Sequence, residues 1–337
     1  MAVESSYEEL YEELSMNQAI DLLEPTTRAF VEKINKLDGT PIYELSPKDA
    51  RKVLLDLQAA EAPAKLPADI VDRDIPVGPE ARVSIRIIRP KGNKEALPVV
   101  MYFHGGGWVL GDKDTHDRLV REIANGANAA VVFVNFTPSP EAQFPIPIEE
   151  AYAATKYIAE KGTELNLDPS KLAVAGDSVG GNMAAAVTLL AKERHGPKID
   201  YQVLIYPVTD ANFNTQSYQQ YATDLWLSRE AMKWFWDNYL PDEGARKQPT
   251  ASPLQASIDQ LKGLPPALVI VDENDVLRDE GEAYAHKLIK AGVTVTVVRY
   301  LGAIHDFAML NALANTPAAR SAIALVNDNL RKAFAKL

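Results

Sequence analysis

The 337-residue chain contains no cysteine. That removes disulfides, thiolate metal sites and a cysteine nucleophile together. Positive charge is also scarce: 35 Lys and Arg stand against 46 Asp and Glu, for a formal charge of −11. Such a surface repels a phosphate backbone, so no nucleic acid is expected as a partner, and no basic cluster offers a hold on an anionic membrane. Long apolar runs are missing as well. Ala129–Val134 and Ala267–Val271 fall far below the ~20 residues of a membrane helix. Met1-Ala2-Val3-Glu4-Ser5 shows no basic segment leading into an apolar one, so no secretory leader is read there. The expectation is a cytoplasmic protein without membrane insertion. What remains is of globular type: 47% hydrophobic and 24% charged residues, near the average for folded domains. The length fits one large α/β domain carrying an insertion, or two small domains.

Residues 1–60 read as helices. Tyr7, Leu10, Tyr11 and Leu14 fall at i, i+3, i+4, i+7, one face of an amphipathic helix. Ser46-Pro47-Lys48-Asp49 supplies an N-cap, a proline at the first helical position and an acid at the third, opening a helix to about Gln58. From about residue 69 the pattern changes. Val83, Ile85 and Ile87 alternate within Arg82–Arg89, the period of a half-exposed strand. Then come apolar runs at Pro98–Phe103, Ala129–Asn135, Lys171–Ala175, Tyr201–Tyr206, Ala267–Val271 and Val293–Tyr300. Helix-length segments such as Ile148–Lys161, Gly180–Arg194 and Arg278–Ala291 separate most of them. Short, continuously apolar strands between helices predict an α/β fold whose mainly parallel sheet is covered on both faces. With a strand near Ile70–Val77 the count is about eight. Thr209–Ser252 breaks the alternation: it has helical patterning, no strand, and Trp226, Trp234 and Trp236, three of the four tryptophans. An insertion of that kind belongs over the C-terminal edge of the sheet, where ligands bind.

Two glycine motifs carry chemistry. Gly176-Asp177-Ser178-Val179-Gly180 is a G-x-S-x-G element between the apolar run Leu172–Ala175 and the helical stretch from Gly181. Alone such a match would arise in roughly one chain in ten of this length. Its strand–turn–helix context is what raises a serine hydroxyl from strained backbone at a strand end. His104-Gly105-Gly106-Gly107-Trp108 follows the strand Val99–Phe103, and a histidine with three glycines arises by accident in on the order of one chain in several hundred. Bare backbone N–H groups approach a substrate only where side chains are absent, and acyl transfer needs such donors aimed at the developing oxyanion. A phosphate loop fails on inspection. Gly106 and Gly111 have the Walker spacing, but Asp112 stands where lysine is required.

His104–Trp108 and Gly176–Gly181, with Phe144-Pro145 ahead of a helix and Asp275-Val276-Leu277-Arg278-Asp279-Glu280-Gly281 near the C-terminus, resemble the bacterial hormone-sensitive-lipase family of carboxylesterases, members of the α/β-hydrolase fold. The resemblance runs from about Leu97 to Phe307. It implies a mostly parallel eight-stranded sheet, a serine, acid, histidine triad in that chain order, an oxyanion hole from the HGGG loop, and no metal or cofactor. It also implies a helical cap formed by 1–60 and 209–252, leaving 61–208 and 253–337 as the catalytic domain. Dimerisation through an edge strand is implied in the same way.

Serine needs a base within hydrogen-bond reach, and the chain has five histidines. His195 at a helix end, His286 inside a helix and His116 after a charged stretch read as surface residues. His104 precedes Ser178, the wrong order for this fold, and reads as a brace for the oxyanion loop. His305 lies in a stretch read as a loop, Gly302–Asp306, just after the strand Val293–Tyr300, and is the expected base. Among Asp272, Glu273, Asp275, Asp279 and Glu280, the last two suit the first turn of a helix, and Asp272 stands at the strand end. Asp275 matches the family's acid position. The oxyanion donors would be the N–H groups of Gly106, Gly107 and Val179, where relatives usually have alanine at the last position. In Thr137-Pro138-Ser139-Pro140-Glu141 relatives usually carry Arg-Leu-Ala-Pro-Glu, so an arginine contact is expected to be missing. Trp108 and Trp226 are expected to wall a pocket for a small-molecule ester of short-to-medium acyl length. An amidase or lactonase using the same triad is the alternative, and a non-catalytic ligand-binding protein on this scaffold is a further one.

Overall fold

The computed structural model describes residues 16–37 and 39–335; the helix read at Tyr7–Leu14 lies outside them. Eight strands form one sheet in the order β1-β2-β4-β3-β5-β6-β7-β8. They are β1 (Ala68–Ile75), β2 (Val83–Pro90), β3 (Leu97–Phe103), β4 (Ala130–Asn135), β5 (Leu167–Asp177), β6 (Tyr201–Ile205), β7 (Ala267–Asn274) and β8 (Val295–Ile304). β2 runs antiparallel to both β1 and β4, and β3 to β8 pair in parallel. The burial explains the sequence pattern. β4 and β6 are buried almost throughout, as strands covered by helices on both faces must be. β2, toward the edge, alternates between buried and half-buried residues over its first half. The covering helices are α4 (Asp117–Ala127), α5 (Ile146–Lys161), α6 (Val179–Glu193), α10 (Arg278–Lys290) and α11 (Pro317–Ala335), and the one-turn α9 (Ile258–Leu261) precedes β7.

The strand order fixes where a ligand can sit. The chain runs from β3 out to β4 and returns past β3 to β5, so the loops leaving the C-terminal ends of β3 and β5 diverge. A crevice opens at such a switch point. The two glycine motifs occupy these two loops, and the segments after β7 and β8 open on the same edge.

Two helical segments approach this edge. The first holds α1 (Met16–Asp21), α2 (Pro25–Asn35) and α3 (Pro47–Ala60); the second holds α7 (Gln216–Gln220) and α8 (Arg229–Tyr239). α3 begins as its sequence predicts, with Ser46 accepting a 3.1 Å bond from the Asp49 N–H and Pro47 at the first position. The segments meet where the Asn35 side chain donates to the Asp224 carbonyl at 2.9 Å and the Phe30 and Trp226 rings lie 5.8 Å apart. α10 ties down the base of the second segment. Glu280 accepts the N–H of Thr209 at 2.7 Å, and Asp279 that of Ser217 at 2.7 Å. Both acids stand in the first helical turn, as expected, but each also supplies acceptors to a loop that has left the sheet.

Two expectations are corrected. β8 continues to Ile304, through part of the segment read as a loop. It can do so because Gly302, at φ +67°, is fastened by its N–H to Glu273 at 2.9 Å and by its carbonyl to the Glu24 N–H at 3.0 Å. The arginine expected to be missing beside residues 137–141 is supplied from α3. Arg51 donates to the Val109 carbonyl at 2.8 Å, to the Ser139 carbonyl at 3.0 Å, and to both carboxylate oxygens of Glu141. Long-range replacement of a local contact leaves no trace in the motif itself. Arg51→Ala should therefore destabilise the fold by about 1.5–3 kcal/mol, the range for bonds to charged groups, read as a lowered thermal midpoint.

Candidate active site

Ser178 joins β5 to α6 at φ 55°, ψ −121°, a conformation costing a non-glycine residue on the order of 1–3 kcal/mol. The surroundings hold it there. Its N–H donates to the Ile205 carbonyl at 2.8 Å, and its carbonyl accepts from Val208 at 3.2 Å and Asn182 at 3.2 Å. The flanking glycines are needed for close approach. A Cβ on Gly180 would stand 1.9 Å from the Phe103 carbonyl oxygen, and one on Gly176 2.2 Å from the Gly180 carbonyl oxygen. Val179 opens α6, so its N–H lacks an intrahelical acceptor.

The HGGG loop is wedged between the serine turn and α8. Gly106 and Gly107 have φ +106° and +64°, and a Cβ on Gly107 would strike the Phe235 ring at 2.0 Å. Gly105 donates its N–H to Asp177 at 3.2 Å. His104 bonds the Gly105 carbonyl through Nδ1 at 2.8 Å and stacks on Phe136 at 4.3 Å, as its bracing role predicts. Burial, and then the charge of His116, push His104 down to about 4, so it stays a neutral prop.

His305 stands at the end of β8 and Asp275 just beyond β7. His305 Nε2 is 2.9 Å from Ser178 Oγ, and His305 Nδ1 is 2.7 Å from Asp275 Oδ2. The other Asp275 oxygen accepts the Leu277 N–H at 3.0 Å, which fixes the carboxylate plane. All three residues are buried: Ser178 is 4% exposed, Asp275 2% and His305 3%. Burial works to lower the basicity of His305, but the charges of Asp275 and Asp306 and the Asp275 hydrogen bond raise it above the ordinary imidazole value. This makes it a stronger acceptor for the serine proton.

Not every sequence-based assignment holds. His195 and His286 are exposed, as expected, but His116 is wholly buried. Its Nε2 lies 3.1 Å from Asp177 Oδ2, and Tyr102 donates to Asp177 Oδ1 at 2.6 Å. Burial works against the charge on His116, yet the neighbouring Asp177 raises its basicity. The Asp177 carboxylate thus ties the serine turn to the start of α4 through His116 and to the HGGG loop through Gly105; the acid inside G-D-S-V-G was the one available signal. Trp108, expected to wall the pocket, is 0% exposed at φ 59°. Its ring stacks on Tyr239 at 3.9 Å and meets Trp236 edge-on at 4.9 Å, so it anchors the loop to α8. Trp226 does approach the triad: its Nε1 donates to Asp306 Oδ2 at 2.8 Å, beside His305. Two surface clefts of about 700 and 990 Å³ contain none of the triad residues.

One oxygen each of Asp272 and Asp275 and a ring nitrogen of His305 lie within 4.8 Å of one another. The 2.7 Å contact between His305 and Asp275 is nevertheless a hydrogen-bond length, shorter than the ~3.3 Å kept by two ligands of one tetrahedral zinc ion. The donor set suits a proton relay better than an ion.

Residues 100–309 match the family model described as the alpha/beta hydrolase fold. The chain belongs to the α/β-hydrolase family. An α/β hydrolase of Acanthamoeba polyphaga mimivirus is 44% identical across 92% of this chain and 88% of its own. An ethyl acetate hydrolase of Pseudomonas putida is 34% identical across 81% and 86%. The crystal structure of a thermostable esterase from Pseudomonas putida superposes with a TM-score of 0.91 at 51% identity, covering 93% of this chain and 98% of that one. Within the α/β hydrolases the chain is an esterase of the hormone-sensitive-lipase-like branch. No helix among the described residues is long and apolar enough to cross a membrane.

For a His305 acting as base, the acid limb of kcat/KM should lie above pH 6.5, the ordinary histidine value, because neighbouring charge holds its proton on. Asp306→Asn removes part of that charge, so the limb should move to lower pH; pH–rate profiles of the two proteins check this.

Proposed function

We propose that this esterase hydrolyses small carboxylic esters through an acyl-enzyme formed on Ser178. One observation carries the reading: the Ser178–His305–Asp275 relay, with contacts of 2.9 and 2.7 Å. Ser178 Oγ attacks the ester carbonyl carbon while its proton passes to His305 Nε2. Asp275 accepts from His305 Nδ1, holding the tautomer and stabilising the imidazolium. The carbonyl oxygen becomes an anion facing the N–H groups of Gly106, Gly107 and Val179, donors that need no reorganisation at the moment of reaction. Collapse of this intermediate breaks the bond to the alkoxy oxygen, which leaves as alcohol with the proton from His305. Water then repeats the sequence: His305 takes its proton, the hydroxide adds to the acyl carbon, and Ser178 leaves reprotonated.

The tightness of the site supports a short acyl group. Phe235 closes against Gly107, Trp226 bonds the neighbour of His305, and the serine is almost covered. A long chain would have to displace α8. The relative named an ethyl acetate hydrolase points the same way. The helices of 16–60 and 209–252 act in this reading as a cap that excludes water and limits acyl length.

Ser178→Ala should reduce ester turnover by roughly 10⁶-fold, as removal of an activated serine does, with the thermal midpoint kept. An organophosphonate should label the wild type at Ser178 and leave the variant unmodified; a variant retaining a tenth of the activity would refute the assignment. On a series of chromogenic esters, kcat/KM should peak at acetyl to butyryl and fall steeply by octanoyl.

A further inference from the structure

Asp272 takes no part in the reaction described above, yet it is wholly buried beside it. Neither carboxyl oxygen has a hydrogen-bond partner among the described residues. A carboxyl without a donor is the wrong group to bury for packing alone. Its position comes from an irregularity at the sheet end. Asp272 pairs with Tyr300, and the register of β7 against β8 shifts between Asp272 and Asn274. Such bulges re-aim side chains next to functional sites. Here the shift brings two acids to one histidine, with an oxygen of Asp272, an oxygen of Asp275 and a ring nitrogen of His305 all within 4.8 Å.

Two carboxyls this close, out of water, cannot both ionise without strong repulsion. The hydrogen bonds decide which one does. Asp275 has the Leu277 N–H and the imidazole as donors, whereas Asp272 has none. Burial first, and then the charge of Asp275, hold the proton on Asp272 well above the usual carboxylate range.

We propose that Asp272 is a positioning residue that shares one negative charge with Asp275, so that it can take over support of His305 when Asp275 is uncharged. If Asp275 carries no charge, its share of the repulsion disappears; burial and the charge of Asp306 still hold the proton on Asp272 while His305 works against them, so Asp272 ionises at a lower pH than beside a charged Asp275. Asp272 then releases its proton to solvent, and its carboxylate balances the imidazolium that forms as the Ser178 proton moves to His305. The inference rests on the serine-esterase reading.

The test is a double-mutant cycle of Asp272→Asn and Asp275→Asn, with kcat and KM for an acetyl ester measured as functions of pH. Asp275→Asn should lose about 100-fold in kcat near neutrality, less than the ~10⁴-fold loss of a serine protease whose triad acid becomes an amide. It should recover part of that loss as pH rises and Asp272 ionises. Asp272→Asn should cost kcat at least tenfold more in the Asp275→Asn background than in wild type, and abolish this pH-dependent recovery, while KM moves little. Equal costs in the two backgrounds, or a ~10⁴-fold loss in Asp275→Asn at every pH, would overturn the proposal. If Asp272→Asn does not melt cooperatively, the pH profile of Asp275→Asn decides alone. Failure of the underlying reading looks different, because Ser178→Ala would then keep its activity.

Discussion

The site depends on one residue being held in a conformation its side chain disfavours. Ser178 is held at φ 55° with its peptide groups bonded to Ile205, Val208 and Asn182. The glycines on either side let β5, α6 and the end of β3 close to backbone contact. The local cost is met by packing across the sheet, which is how strained functional residues persist.

Asp177 extends that constraint. Its carboxylate gathers the Tyr102 hydroxyl, the Gly105 N–H and the His116 imidazole, joining the serine turn, β3, the oxyanion loop and α4. The other side of the loop is fixed by Trp108, stacked into the aromatics of α8. The proposed oxyanion donors therefore sit between the buried Asp177 hydrogen bonds and an aromatic stack. Preorganisation of this kind is what electrostatic stabilisation of a transition state requires. Tethers at Asp306–Trp226 and Arg51–Glu141 carry the same rigidity outward into the helical segments.

The acid side of the site follows a different rule. β7 and β8 deliver Asp275 and His305 side by side, each one residue past the Asn274–Ile304 pair that closes a register shift, while Asp272, before the shift, is buried with no donor. Hydrogen bonds, rather than proximity, separate the two acids. Sequence reasoning had both as candidates at the end of one strand. It preferred Asp275 through the family resemblance, and Asp275 is the one of the two that accepts the Leu277 N–H and bonds the His305 imidazole.

Much was legible from the chain itself. Continuous apolar runs between helices fixed a parallel, doubly covered sheet, since a strand buried on both faces has no reason to alternate. The glycines of the two motifs marked the crossing points, because a missing Cβ is a property of the residue and its effect is local. Other features were decided by the tertiary structure. His116 reads as a surface residue beside charged neighbours, and only the approach of Asp177, distant in sequence, buries and pairs it. Arg51 restores from α3 a contact absent from the motif it serves, and Trp108 turns inward to meet rings more than a hundred positions further along. A sequence records what each residue can do within its own turn or strand. Which charges and rings face one another across the fold is settled by strand order and packing, as the contact of His116 with Asp177 is.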